Sequence, residues 1–386
     1  MTDGPLETPP LSLYVHLPWC VKKCPYCDFN SHPAGQNPPR ARYLAALLRD
    51  MQVEATRCNE RTLVSVFLGG GTPSLFTPRE ISKLLDGVRS CFSIADDIEV
   101  TMEANPGTVE SGDPRGYRSA GVNRLSIGAQ SFRAESLRTL GRIHSVADIH
   151  RSVSEARAAG IDNINLDVMY ALPGQDVSAA IDDLQQALRL QPAHLSWYQL
   201  TLEPNTVFHA RPPAGLPDND LCFEMQQHGQ SLLAESGYEQ YEISAYAVGG
   251  RQCRHNLNYW SFGDYLAIGA GAHGKISADD GIWRYAKPAH PQQYMEGLEN
   301  GRLSAELLPL EASERVFEFM LNALRLTGGF AMRLFEERTG LAASLLDEPL
   351  LALCEKRLIE EVDSGFWRVT GLGQRFLDDV QAEFLP

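Results

Sequence analysis

Apolar and polar positions alternate in a repeating order along the N-terminal half of the chain. Short apolar runs bounded by Gly, Pro or polar residues predict strands over 11–17, 63–68, 98–103, 123–127, 163–168 and 194–200. Between them, apolar residues recur at helical spacing. Leu44, Leu47, Leu48 and Met51 form one such face. Val146, Ile149, Val153 and Ala156 form a second, behind Ser145 as N-cap and ending at Gly160, and Ile181, Leu184 and Leu188 a third. Strands alternating with helices predict a parallel α/β sheet, and right-handed crossovers curl successive units towards a barrel. Six units rather than the eight of a closed barrel predict an open, partial (β/α)6 barrel. A flat doubly wound sheet is the alternative.

The pattern then changes. Pro204, Pro212, Pro213 and Pro217 predict a long loop over 203–218. A helix near 221–235, strand-like 238–247 and a Gly-rich stretch at 268–274 follow. Beyond Leu307, Val316, Phe319, Met320 and Ala323 share one helical face. Strand-like 359–362 and 367–369 flank a turn at 363–365, before a last helix. Helices followed by a small hairpin resemble a winged-helix module. The expected organisation is a partial barrel over 1–202, an extension over 203–304 and a helical, winged-helix-like C-terminal domain over 305–386.

Net charge narrows the partners. The 386 residues carry a formal charge of −15, and an acidic surface repels phosphate backbones, so no nucleic-acid partner is expected. No apolar run reaches the length of a membrane span and the N-terminus lacks the pattern of an export signal, so a cytoplasmic protein is expected, with peripheral attachment to a membrane left open. Disulfides are not expected there. Of the eight cysteines, three crowd into Cys20-Val21-Lys22-Lys23-Cys24-Pro25-Tyr26-Cys27.

This C-x3-C-x2-C spacing directly follows the first predicted strand. A [4Fe–4S] cube normally takes four thiolates. Cys20, Cys24 and Cys27 supply three, which leaves one iron open to a small molecule, as at an open catalytic metal position. Lys22 and Lys23 offset the charge of the thiolates. A structural zinc site would want a second ligand pair elsewhere, and none is apparent.

Further motifs stand in order along the chain: Tyr14-Val15-His16-Leu17-Pro18-Trp19-Cys20, then GGGTP from Gly69, EANP from Glu103, IGAQSF from Ile127, GRIH from Gly141 and LPGQ from Leu172. Glycines at a strand end let backbone groups approach a ligand closely. The ordered set resembles the radical S-adenosylmethionine superfamily and, within it, the family of oxygen-independent coproporphyrinogen III oxidase and its relatives. The resemblance implies that S-adenosylmethionine chelates the open iron through its amino and carboxylate groups. By position, Tyr14, Tyr26, Gly70, Gly71, Thr72, Glu103, Gln130, Arg142 and Asp167 match the family's cofactor-binding residues.

One departure selects a branch. The oxidase carries a further cysteine two places after the third ligand, where this chain has Phe29. Cys27-Asp28-Phe29 is instead similar to the heme chaperone branch. That branch also has an HNxxYW motif linked to heme, matched by His255-Asn256-Leu257-Asn258-Tyr259-Trp260. Imidazole is a common axial ligand of heme iron and aromatic rings pack on a porphyrin face. His255, Tyr259 and Trp260 are therefore the heme candidates, with His273 and Cys253 as further ligands to consider. Cys58, Cys91, Cys222 and Cys354 read as small buried side chains. The resemblance implies a chaperone that binds heme, the cluster and S-adenosylmethionine and passes heme to acceptor hemoproteins such as respiratory cytochromes. The alternative is the oxidase reaction, or another radical reaction of tetrapyrrole metabolism.

Overall fold

The computed structural model describes residues 6–58, 61–107, 112–302 and 305–386. All six predicted strands form, as β1 (Leu11–Leu17), β2 (Thr62–Gly70), β3 (Ser93–Ala104), β4 (Arg124–Gln130), β5 (Asn163–Tyr170) and β6 (His194–Gln199). They lie side by side in sequence order, each parallel to the next. Helices α1 (Arg40–Ala55), α2 (Pro78–Cys91), α3 (Val146–Ala158) and α4 (Val177–Arg189) are among the connections. Ser145 caps α3 in a reciprocal capping box with Asp148, so two orphan amide groups of the first turn are satisfied at once.

The partial barrel has one parallel strand more than the alternation predicts. β7 (Asp264–Ile268) pairs parallel with the free edge of β1, placing Leu11 opposite Asp264 and Val15 opposite Ile268. Antiparallel strands extend both edges: His273–Ala278, Gly281–Ala286 and Leu308–Pro309 beyond β7, and Ala245–Ala247 then Glu239–Glu242 beyond β6. Predicted segment 238–247 is thus a tight hairpin. Lys287, fully buried, reaches Asp50 and Glu54 of α1 at 2.6 Å each and ties this extension to the barrel.

Each strand shows period-two segregation of side chains. Leu11, Leu13, Val15 and Leu17 of β1 join Leu44, Leu47 and Met51 of α1 in the main core. The intervening Ser12, Tyr14 and His16 turn into the barrel lumen. The same alternation sends Ser65, Glu103, Arg124, Ser126, Asn165, Asp167 and His194 inward. A buried polar group is costly unless bonded, and several of these bond one another: Ser12 to Ser65 at 2.7 Å, Asn165 to Ser126 at 2.7 Å, His194 to Asn165 at 2.6 Å; the buried Nε of Arg124 has no partner. The sheet therefore buries one apolar face against helices and one polar face around the lumen.

α5 (Asn219–Glu235) covers the far end of the sheet, and the predicted loop over 203–218 contains a short helix, Val207–Ala210. A short helix outside the predicted set, α6 (Arg254–Trp260), closes the end of the barrel opposite the cysteine loop. α7 (Ala312–Ala323) opens the C-terminal module, which has the three-stranded sheet Phe330–Ala331, Phe366–Val369, Ile359–Asp363 and five further helical segments among the described residues, around a core that also takes in Phe262 and Ile282. Cys58, Cys222 and Cys253 are buried, but Cys354 is exposed: Leu350 and Leu353 turn the buried face of their helix the other way. Among the described residues, no helix is long and apolar enough to cross a membrane.

Candidate functional site

The chain leaves β1 through a short parallel bridge between Trp19–Cys20 and His32–Pro33, which closes the base of the cysteine loop. Ala34 donates its N–H to the Cys20 carbonyl at 2.8 Å and His32 to that of Pro18 at 2.7 Å. The glycine run after β2 lies directly against this base. Gly71 donates to the Leu17 carbonyl and Thr72 to that of Trp19, both at 2.8 Å. A Cβ on Gly71 would stand 2.7 Å from the Pro18 carbonyl carbon, and one on Gly70, whose φ is +109°, would enter the His16 ring. Close approach requires glycine at both positions.

Above the strand ends lies a cavity of about 410 Å³. It is lined by the three cysteines and by Tyr26, Gly70, Gly71, Thr72, Glu103, Gln130, Arg142 and Asp167. The structure thus brings together eight of the nine residues matched to cofactor binding. Tyr14 lies beneath the others in the lumen, its phenol 3.0 Å from His16 Nδ1. All three thiols are partly exposed. Among the described residues, no three His, Cys, Asp or Glu side chains converge as on a single metal ion. A cube places each thiolate on a different iron, and a spread-out set suits it.

Polar groups converge on the cavity with unused capacity. Glu103 Oε2 accepts the Gly70 N–H at 3.0 Å, and burial, with Asp167 nearby, pushes its carboxyl up to about 7. Asp167 accepts from Asn165 at 2.8 Å and Ser126 at 3.1 Å; burial raises its pKa as well. Gln130 sits at a bulge closing β4 with φ +67°, and its Oε1 accepts the Tyr198 hydroxyl at 2.9 Å. Arg142 donates to the Gly128 carbonyl at 2.9 Å and lies 3.6 Å from Cys24 Sγ, while its buried Nε has no partner. A guanidinium beside a thiol, a glycine cradle and paired carboxylates fit a cluster carrying a charged amino-acid nucleoside.

Sequence reasoning missed two residues here. Asn105 accepts from Arg142 at 2.5 Å and donates to Thr72 Oγ1 at 2.9 Å, joining the GRIH and GGGTP loops. Its place in EANP was the available signal. Tyr198, at the end of β6, had none. Phe29 stands at the cavity mouth, 57% exposed.

The HNxxYW residues lie elsewhere, on α6 at the other end of the lumen. Glu99 of β3 caps this helix, accepting the Arg254 N–H at 3.0 Å. Asn258 fixes it further by donating to Ser12 Oγ at 3.0 Å and the Asp264 carbonyl at 2.7 Å. His255 points into the lumen and is 6% exposed. Its Nδ1 meets Ser65 Oγ at 3.2 Å, its ring stacks on Phe67 at 5.0 Å, and burial pushes its pKa down to about 3. Tyr259 and Trp260 are half-buried on the outer side, with Arg325 over the Trp260 ring at 4.4 Å. Cys253 is buried beside Glu99, and His273 is exposed at the start of its strand.

A three-cysteine loop, a glycine cradle and acidic strand ends gathered over one mouth of a partial barrel define a radical S-adenosylmethionine protein; residues 14–187 match the model of that superfamily, and residues 310–376 that of the HemN C-terminal domain. The family implies S-adenosylmethionine and an iron–sulfur cluster. Over 98% of its length the chain is 46% identical to the heme chaperone HemW of Haemophilus influenzae, spanning 99% of that protein. It is 34% identical to HemW of Bacillus subtilis over 97% of its length and 99% of the relative. The chain belongs to the HemW family. Its fold is shared with coproporphyrinogen III oxidase (HemN) from Escherichia coli, at a TM-score of 0.82 and 24% identity over 98% of this chain and 90% of the other.

Proposed function

We propose that this protein is a cytoplasmic heme chaperone, which binds heme and passes it to acceptor hemoproteins, respiratory cytochromes among them. The observation that carries the reading is end-to-end likeness to proteins named heme chaperones. Phe29 supports it, because the oxidase cysteine is replaced by an exposed ring at the cavity mouth. In this reading residues 1–202 hold the cofactor, 203–304 serve heme and 305–386 form the attached module.

Cys20, Cys24 and Cys27 hold a [4Fe–4S] cluster whose open iron takes S-adenosylmethionine; reductive cleavage of that cofactor is the chemistry such a pair supplies. Gly70, Gly71 and Thr72 receive its methionine end, with Arg142 on the carboxylate. Glu103 and Asp167 accept from the ribose hydroxyls. Gln130 and Tyr26 bound the cavity, and Tyr14 supports it from below. His255, Tyr259 and Trp260 serve heme, the two aromatic rings as walls for the porphyrin. The His255 imidazole reaches iron only once α6 leaves the barrel.

The test pairs two measurements on anaerobically reconstituted protein. Heme titration should show saturable uptake, and incubation with coproporphyrinogen III and a reductant should release no CO2. Turnover with CO2 release would replace the chaperone reading with the oxidase one.

A further inference from the structure

On the outer side of α6 lies a second cavity, of about 430 Å³, between α6, β7 and α7. Tyr259, Phe262, Tyr265, Phe317 and Leu321 give it aromatic and apolar walls, and Arg284 enters from the neighbouring strand. Its volume lies within the range of small-molecule sites. Tyr265 is half-buried, with its hydroxyl hydrogen-bonded by the Arg284 guanidinium. Arg284 is in turn oriented by Glu318, Nε to Oε2 at 2.9 Å. The Tyr259 and Tyr265 rings stand 6.5 Å apart, edge to face.

We propose that this groove holds the heme cargo and that the Tyr265 phenolate is the axial ligand of its ferric iron. The inference rests on the heme chaperone reading and gives that reading a site. Tyrosinate is an established ligand of heme iron. A guanidinium N–H on the same oxygen compensates the charge of a phenolate bound to iron. Coordination forms one O–Fe bond and releases the phenolic proton to solvent; the iron stays ferric. Tyr259 supplies a ring wall on one side, and Phe317 and Leu321 an apolar wall on the other. His255, one turn before Tyr259 on the same face of α6, packs its ring 5.9 Å from that of Tyr259 and turns its Nδ1 to Ser65 Oγ, so it does not line the groove. Tyr265 therefore offers a ligand with α6 in place, where His255 does not.

Ferric heme is titrated into the full-length parent, Tyr265→Phe, Leu321→Trp and His255→Ala, and absorption spectra are recorded at each addition. The parent should give the spectrum of a phenolate-ligated ferric heme. Tyr265→Phe should lose that spectrum and at least about tenfold in affinity. Leu321→Trp should keep the spectrum and lose affinity, because the indole fills the groove. Parental spectrum and affinity in Tyr265→Phe would overturn the inference. So would loss of the parental spectrum in His255→Ala but not in Tyr265→Phe, which would leave the heme chaperone reading intact with imidazole as ligand. A parent that binds no heme would overturn both.

Discussion

Asn105 stands between two loops that arrive from different strands. An arginine can only donate, so its partner on Asn105 is the amide oxygen, which leaves the amide nitrogen for Thr72. Asn105→Ala strips both bonds without touching a thiol. Hydrogen bonds to charged groups contribute about 1.5–3 kcal/mol, so S-adenosylmethionine affinity should fall roughly ten- to a hundredfold with iron content unchanged. Asn105→Asp, which can still accept from Arg142 and from the Thr72 hydroxyl, should recover much of the loss. Calorimetric titration of the reconstituted proteins decides it. Glu103 makes a different prediction. Its carboxyl titrates near 7 when folded against an ordinary 4.5, so the folded state holds an extra proton between those values. Stability from this group is therefore greatest at the acid end, falls as pH rises from about 4.5 to about 7, and is level above. Glu103→Gln keeps an acceptor for the Gly70 N–H and offers Asp167 a donor. Without cofactor it should melt higher than the parent at pH 8, while binding S-adenosylmethionine more weakly; a lower melting temperature would contradict this.

At the scale of elements, the fit between the glycine run and the cysteine loop is the tightest local constraint described. Gly71→Ala places a methyl group 2.7 Å from backbone atoms of the loop base, which cannot rotate aside. Overpacking of this kind costs about 1–3 kcal/mol, and the displaced loop should show it as reduced iron loading after reconstitution. Full loading with an unchanged melting temperature would show that the contact yields freely. The six strands of the barrel were legible because each is a short apolar run bounded by Gly, Pro or polar residues, with a helical face read behind three of them. β7 was not. Its run, Asp264–Ile268, is bordered by Gly263 and Gly269 and reads as part of a glycine-rich loop; its partner β1 lies at the opposite end of the parallel run in sequence, so no βαβ spacing announces the pairing. α6 is too short for periodicity to register, and what holds it, Glu99 and Ser12, sits far away in the chain. The site followed the same division. Motifs at the strand ends could be placed from sequence because parallel strands present ligands at one end. Asn105 and Tyr198 act through side-chain partners that only the folded chain supplies.

Across the whole molecule, the C-terminal module is not a freely hung appendage. Its core takes in Phe262 and Ile282 from the extension, and Phe319 packs edge-on against Phe262, Phe330 and Phe335 at 5.8, 5.7 and 5.2 Å. Arg325 adds an ion pair to Glu242 while covering Trp260. Phe319→Ala should cost about 3–5 kcal/mol. Because that core is shared, the loss should appear within one cooperative transition in calorimetry; two separated transitions would mean that the module unfolds independently.

α6 faces both ends of the molecule at once. His255 lies 6.3 Å from Tyr14 inside the lumen, and one turn later Tyr259 forms the wall of the outer groove. A single turn of helix thus touches Tyr14, which lies beneath the cofactor cavity, and forms part of the wall of the outer groove. The four states (empty, cofactor only, cargo only, both) form a closed thermodynamic square. Whatever factor S-adenosylmethionine imposes on cargo affinity, cargo must impose on S-adenosylmethionine affinity, with the same size and sign. Wherever that factor differs from one, the grip on one molecule is a reading of the other and no separate sensor is needed.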